Sequence, residues 1–199
     1  LGEIVNHQWS KSIEFEKMFK EYIHDFVTPD VTYFSFLRPW NEIKIAQLFS
    51  DMPQYHSIFS SCNRNFSSTR GNPPGTLWCG ECPKCAFVFA LLAAFIPKEQ
   101  LIRIFGNNLF DKPSLIPMYK ELLGREGIKP FECVGTPEET QVAFYMALEK
   151  HEFDDDVAMK MFGNECLPTI KNIDILKKHV FAQGDESLIP YEFKTIYEK

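Results

Sequence analysis

The chain has 199 residues, of which 45% are hydrophobic and 24% charged, and it carries 19 phenylalanines. This composition belongs to a folded chain with an aromatic core and excludes a disordered or fibrous one. A formal net charge of −6 argues against sequence-independent nucleic-acid binding, which needs cations to neutralise phosphates.

From the N-terminus, no basic start leads into an apolar stretch, so no secretion signal is expected. Leu1 in place of Met reads as the start of a fragment or of a processed chain. A reducing, cytoplasmic compartment is expected, and disulfides are not. Ile13, Phe15, Met18, Phe19, Tyr22, Ile23, Phe26 and Val27 recur at helical spacing, which predicts a helix with one broad apolar face, stopped at Pro29. VTYFSF at 31–36 is β-branched and aromatic, and predicts a short buried strand. Pro39 suits a first helical position, so a helix is expected from there to about Phe49.

Residues 61–78 are rich in Ser, Asn, Gly and Pro and predict a loop. From Pro83 a buried helix is expected to about Ile96. Its apolar run from Ala86 is too short to span a bilayer, which takes roughly 20 residues. A second helix is expected at Lys98–Phe105, and a third within 111–124, stopped by Gly124. Thr136, Pro137 and Glu139 form a T-x-x-E capping box before an apolar helix. Short helices are expected near 155–162 and 168–179.

Four of the six cysteines lie within residues 62–85, as Cys62 and then C-G-x-C-x-x-C at Cys79, Cys82 and Cys85. Zinc takes four tetrahedral ligands, and thiolates satisfy a closed structural site. A Cys-x-x-Cys places two sulfurs on one tight turn, which Gly80 relieves. Such an ion would staple a polar loop that has no core of its own. Two other readings stay open, a redox dithiol and catalytic thiols. Cys133 stands just before the capping box, either as a small buried residue or as a thiol activated by a helix N-terminus. Cys166 reads as structural.

NHQWSKS (6–12), YFSFLRPWNEIKIAQLF (33–49), FSSCNRNF (59–66), WCGECPKCAFVF (78–89) and KPFECVGTPEE (129–139) together resemble one family. They are similar to the C-terminal half of ATP-dependent UDP-N-acetylmuramoyl-L-alanyl-L-glutamate epimerases. More distantly, the cysteine pattern is similar to the zinc site of 7-cyano-7-deazaguanine synthase, a PP-loop ATP pyrophosphatase. The resemblance implies an α/β, predominantly helical fold: the C-terminal portion of a PP-loop (adenine nucleotide alpha hydrolase-like) domain with a four-cysteine zinc loop. Residues 1–60 would end the nucleotide-binding domain, 61–150 would carry the cysteine loop and helices, and 151–199 a helical extension. The phosphate loop S-G-G-x-D-S is absent, and the sequence has no Gly-Gly pair. That loop is expected from an upstream nucleotide-binding segment, without which the chain should be inactive.

The implied reaction uses ATP and Mg2+ to adenylate a glutamyl carboxylate of a UDP-linked muropeptide. The α-proton is then removed and redelivered on the opposite face, and the product feeds peptidoglycan synthesis. In that reading His7, Lys11 and Arg38 are candidates for phosphate or carboxylate contacts. Asn63 and Arg64 are candidates for anionic substrate groups. Cys133 and Glu132 are candidate proton carriers, and Cys62, Cys79, Cys82 and Cys85 the metal ligands. The competing readings are another PP-loop enzyme acting on a nucleobase or tRNA, and a non-enzymatic zinc-stapled interaction domain.

Overall fold

The computed structural model describes residues 9–67, 71 and 75–196. Two compact units divide the chain: Trp40–Ala182, and Leu1–Pro39 together with Gln183–Lys199. Among the described residues every regular element is helical. The β half of the α/β expectation is therefore corrected.

In the larger unit the first helix is α2 (Glu42–Ser50), with Asn41 at its N-cap, so Pro39 precedes the helix rather than opening it. The central element is α3 (Pro83–Ala93), which begins with Pro83 directly after Cys82. Cys85, Ala86, Phe87, Phe89, Ala90, Leu91, Leu92 and Ala93 are all buried. A helix apolar on every side belongs in a core. The helix closes at Ala93, and a turn carries the apolar run to Ile96. Around α3 pack α2, α4 (Lys98–Phe105), α5 (Ile116–Leu122) and, most extensively, α6 (Pro137–Glu149). Gly106 ends α4 in the left-handed region, with φ 75°.

Phe89, Phe110, Phe144 and Phe153 are fully buried and meet largely edge to face, with Phe110 and Phe144 at 4.7 Å between centroids. The α3 C-terminus is closed by Lys150, whose Nζ donates to the carbonyls of Ala93 (2.9 Å) and Ile96 (2.5 Å). A cation is favourable against those carbonyls. At the start of α6 the predicted capping box forms, with Glu139 N–H donating to Thr136 Oγ1 and Thr136 N–H to Glu139 Oε2. Beyond it, α7 (Val157–Met161) runs into a π-helical turn at Phe162–Cys166, and α8 (Ile173–Phe181) is capped by Asn172.

The smaller unit contains α1 (Ile13–Tyr22), capped by Ser12, which accepts from Phe15 N–H at 3.1 Å. It passes into a π-helical turn, Ile23–Val27. The strand expected at 31–36 does not form; its residues are irregular, and Val31 and Tyr33 are exposed. A β-branched run needs a neighbouring strand, and the described residues supply none. Phe34 and Phe36 pack instead on Phe193 of α9 (Tyr191–Lys194), with centroids at 5.0 and 6.4 Å. Buried Glu16 holds the segment in place: Ser35 N–H donates to Oε1 at 2.9 Å and Arg38 Nε to Oε2 at 2.6 Å.

Candidate metal centre

The loop after α2 and the turn before α3 bring Cys62 to Cys79, Cys82 and Cys85. Ser60 fastens the two ends, its hydroxyl donating to Leu77 O at 2.6 Å and accepting from Cys62 N–H at 3.2 Å. Buried Trp78 packs between Phe59 (5.1 Å) and Phe105 (4.5 Å), which anchors the returning arm of the loop beside Cys79. Gly80 adopts φ 66°, and a Cβ there would meet Lys112 Nζ at 3.2 Å and Leu109 Cδ2 at 3.3 Å. A side chain there would be strained by the left-handed backbone and would have to push both neighbours aside.

All four sulfurs lie within 4.8 Å of one another. Separations are 3.4 Å for Cys82–Cys85, 3.6 Å for Cys79–Cys85 and 3.9 Å for Cys62–Cys82. A tetrahedron with metal–sulfur bonds of about 2.3 Å has edges of about 3.8 Å. The donor set and its size therefore fit one tetrahedral, thiophilic ion. With four protein sulfurs the coordination would be closed, which suits a structural ion and leaves no position for substrate.

The backbone is arranged for negative sulfur. Cys79 N–H donates to Cys62 Sγ at 3.4 Å. The N–H groups of Glu81 and Cys82 face Cys79, those of Cys85 and Asn63 face Cys82, and that of Gly80 faces Cys85. The hydrogen bond shared by the Cys82 and Cys85 sulfurs pushes Cys82 down to about 4 despite its burial and pushes Cys85 upward. Burial likewise raises Cys79. A metal-free cluster is thus forced to keep protons, because four thiolates cannot share so small a space without a cation. Two positive groups stand beside it. Arg64 donates to Glu81 Oε2 at 2.9 Å, and Lys112 Nζ donates to Gly80 O at 3.2 Å.

Of the other predicted residues, Asn63 and Arg64 lie on the cysteine loop. Glu132 and Cys133 lie in the half-buried loop before α6, fastened by Lys129 Nζ on the carbonyls of Val134 and Gly135, both at 2.9 Å. Glu132 Oε2 is buried without a hydrogen-bond partner. Lys11 and Arg38 belong to the smaller unit, where Arg38 pairs with Glu16 and its Nη1 donates to Lys11 O at 3.3 Å. His7 lies outside the described residues. Cys166 is buried, 3.7 Å from Met161 Sδ. Sequence reading missed Lys112, which is remote from the cysteines in the chain, and Glu81, whose pairing with Arg64 was signalled only by opposite charges at the loop's two ends.

Two family descriptions match this architecture: the MurL C-terminal domain over residues 58–175, the span holding all four sulfurs, and the MurL N-terminal domain over residues 1–36. The chain belongs to the MurL epimerase family. MurL relatives are similar along nearly the whole chain. One from Xanthomonas oryzae pv. oryzae is 41% identical over 186 residues, covering 94% of this chain. Others, from Micromonospora sp. and Salinispora tropica, are 40% and 42% identical over 95% and 96% of it. All three are named UDP-N-acetyl-alpha-D-muramoyl-L-alanyl-L-glutamate epimerase. The chain spans 41% of the length of each of these MurL relatives. No solved structure matches. Among the described residues no helix is long and apolar enough to cross a membrane.

Proposed function

We propose that the chain is the zinc-stapled C-terminal portion of a cytoplasmic epimerase. Its substrate is UDP-N-acetylmuramoyl-L-alanyl-L-glutamate, and the terminal L-glutamate becomes D-glutamate for cell-wall synthesis. The observation that carries the reading is identity of about 41% to named epimerases along 94% of the chain, cysteine loop included.

The chemistry follows from one electrostatic obstacle. An ionised carboxylate makes the proton on the neighbouring carbon nearly inert, because removing it builds a second negative charge. Attack of that carboxylate on the α-phosphorus of ATP releases pyrophosphate and gives an acyl-adenylate, which is no longer anionic at the carbonyl. A base then takes the α-proton and an acid on the opposite face returns one. Water hydrolyses the mixed anhydride, giving AMP and the inverted glutamate. An upstream PP-loop segment would hold ATP and Mg2+.

In this chain Glu132 and Cys133 are the proposed proton carriers. A buried carboxylate oxygen without a partner is costly unless something else comes to meet it, and Glu132 Oε2 is such an atom. Arg64 and Asn63 would receive anionic parts of the substrate, with Lys11 and His7 as further contacts. Arg38 would act by keeping the 35–38 turn closed on Glu16. Cys62, Cys79, Cys82 and Cys85 would hold zinc, which when bound supplies charge compensation and a rigid loop.

The test joins this chain to the upstream half of a MurL relative and supplies ATP and the L-glutamyl substrate. D-Glutamate after acid hydrolysis, formed only with ATP, is the expected result. Unchanged chirality from a folded, zinc-loaded protein would overturn the reading.

A further inference from the structure

The smaller unit is rich in aromatic residues, yet among its described residues Ile189 is the one large apolar side chain that is buried. More than half of the large apolar side chains left exposed in the described chain belong to this unit. A domain cannot be stable on so small an interior, because burial of apolar surface is the main favourable term in folding.

The exposure is organised. On α1 and the π-helical turn, Met18, Tyr22 and Phe26 recur four residues apart and are 57%, 54% and 78% exposed. The Tyr22 and Phe26 rings stack at 5.5 Å, giving a continuous apolar stripe. The same helix satisfies its own fold through other residues. Glu16 is taken by Ser35 and Arg38, while Phe15 and Phe19 stack at 5.5 Å and Phe19 meets Tyr33 edge to face at 4.8 Å. The stripe is therefore surplus to the unit's internal packing. Solvent-facing patches of this kind mark a surface that another element covers.

We infer that the Met18–Tyr22–Phe26 stripe is the docking face for the remainder of a MurL N-terminal domain. Two observations choose that occupant over a second copy of this chain. The N-terminal domain description matches residues 1–36, the segment that carries the stripe. The MurL relatives extend well beyond it, since the matched region is 41% of their length. The stripe is flanked by exposed charges of both signs, Glu14, Lys17 and Glu21, so the covering surface is apolar at its centre with a mixed polar rim. The interface completes the interior that this unit lacks and sets the upstream half of the enzyme on α1.

The test is a calorimetric titration, with no substrate present. The full chain is titrated with the part of the Xanthomonas oryzae pv. oryzae MurL relative that precedes the matched region. Wild type binds. The double variant Tyr22→Glu, Phe26→Glu, with unchanged melting temperature, is weakened roughly tenfold or more, as loss of a central aromatic anchor requires. Ile175→Glu, an equally exposed apolar site in the larger unit, leaves binding unchanged. No binding by wild type, or equal binding by the double variant, would overturn the assignment. So would a concentration-dependent dimer that the double variant abolishes, because a second copy would then hold the face. Binding is read without catalysis, so its failure is separate from failure of the epimerase reading.

Discussion

Ile43 and Glu139 are 96 residues apart in sequence, and the backbone N–H of the first donates to Oε1 of the second at 3.1 Å. The other oxygen, Oε2, takes the N–H of Thr136 at 2.7 Å. One buried carboxylate thus caps the N-termini of α6 and α2 together. Glu139→Ala removes a helix cap and leaves the buried Ile43 N–H without a partner. The expected cost is roughly 2–4 kcal/mol, read as a lower urea midpoint. Glu139→Gln keeps an acceptor and should lose less.

Gly135 is the tight point of the same junction. A Cβ there would stand 2.5 Å from Glu139 Oε2 and 2.7 Å from Phe87 Cζ. Gly135→Ala is expected to destabilise by about 1–3 kcal/mol, as overpacking does in close-packed interiors. Because Oε2 must move, the double variant Gly135→Ala, Glu139→Ala should cost less than the sum of the two singles.

Elemental analysis of the purified chain should give about one zinc per chain, the stoichiometry of a closed four-thiolate site. Cys82→Ser should lower the zinc content and the melting temperature together, by roughly 5–10 °C for a loss of a few kcal/mol. A strong chelator should reproduce the drop in wild type and have little further effect on the variant. Full zinc with an unchanged melting temperature in Cys82→Ser would remove the structural role.

Glu132→Gln and Cys133→Ser address the proton carriers. In the joined enzyme each is expected to lower the rate of inversion by about 100-fold or more, the usual share of a positioned acid or base. Zinc content and thermal stability should stay at wild-type levels, which separates chemistry from folding.

The Glu16–Arg38 pair gives a pH signature. Burial works to raise the Glu16 carboxyl, but hydrogen bonds from Ser35 and Arg38 outweigh it and hold the group below its ordinary 4.5. A depressed folded-state value means the unfolded chain binds the proton more tightly, so the stabilisation is complete above about pH 4.5 and disappears as the pH falls through the folded value. Wild type should exceed Glu16→Gln in stability near pH 6, and the gap should close in acid. A gap that widened below pH 4.5 would contradict the assignment.

What the sequence made legible was local. Thr136 and Glu139 announce the α6 cap because both partners lie within one turn. Gly106 and Gly124 mark helix ends because each supplies a left-handed backbone. The cysteines were readable because gathering four sulfurs at one point constrains their spacing. What failed depended on distant partners. VTYFSF has strand propensity, but no neighbouring strand lies beside it among the described residues, and Phe193 draws its aromatic residues into an irregular segment. Pro39 looked like a helix start, yet its carbonyl accepts from Gly184 N–H at 2.7 Å and Asn41 takes the cap. The pairing of Arg38 with Glu16 was likewise not legible, since Glu16 lies 22 residues away on α1.

The two ends of α3 are both tied by polar groups. At its head stands the sulfur cluster, and at its tail Lys150 grips the carbonyls of Ala93 and Ile96. A rod held at both tips has little freedom to slide or rotate within the larger unit. The amides of α3 should accordingly be the slowest in the molecule to trade hydrogen for deuterium.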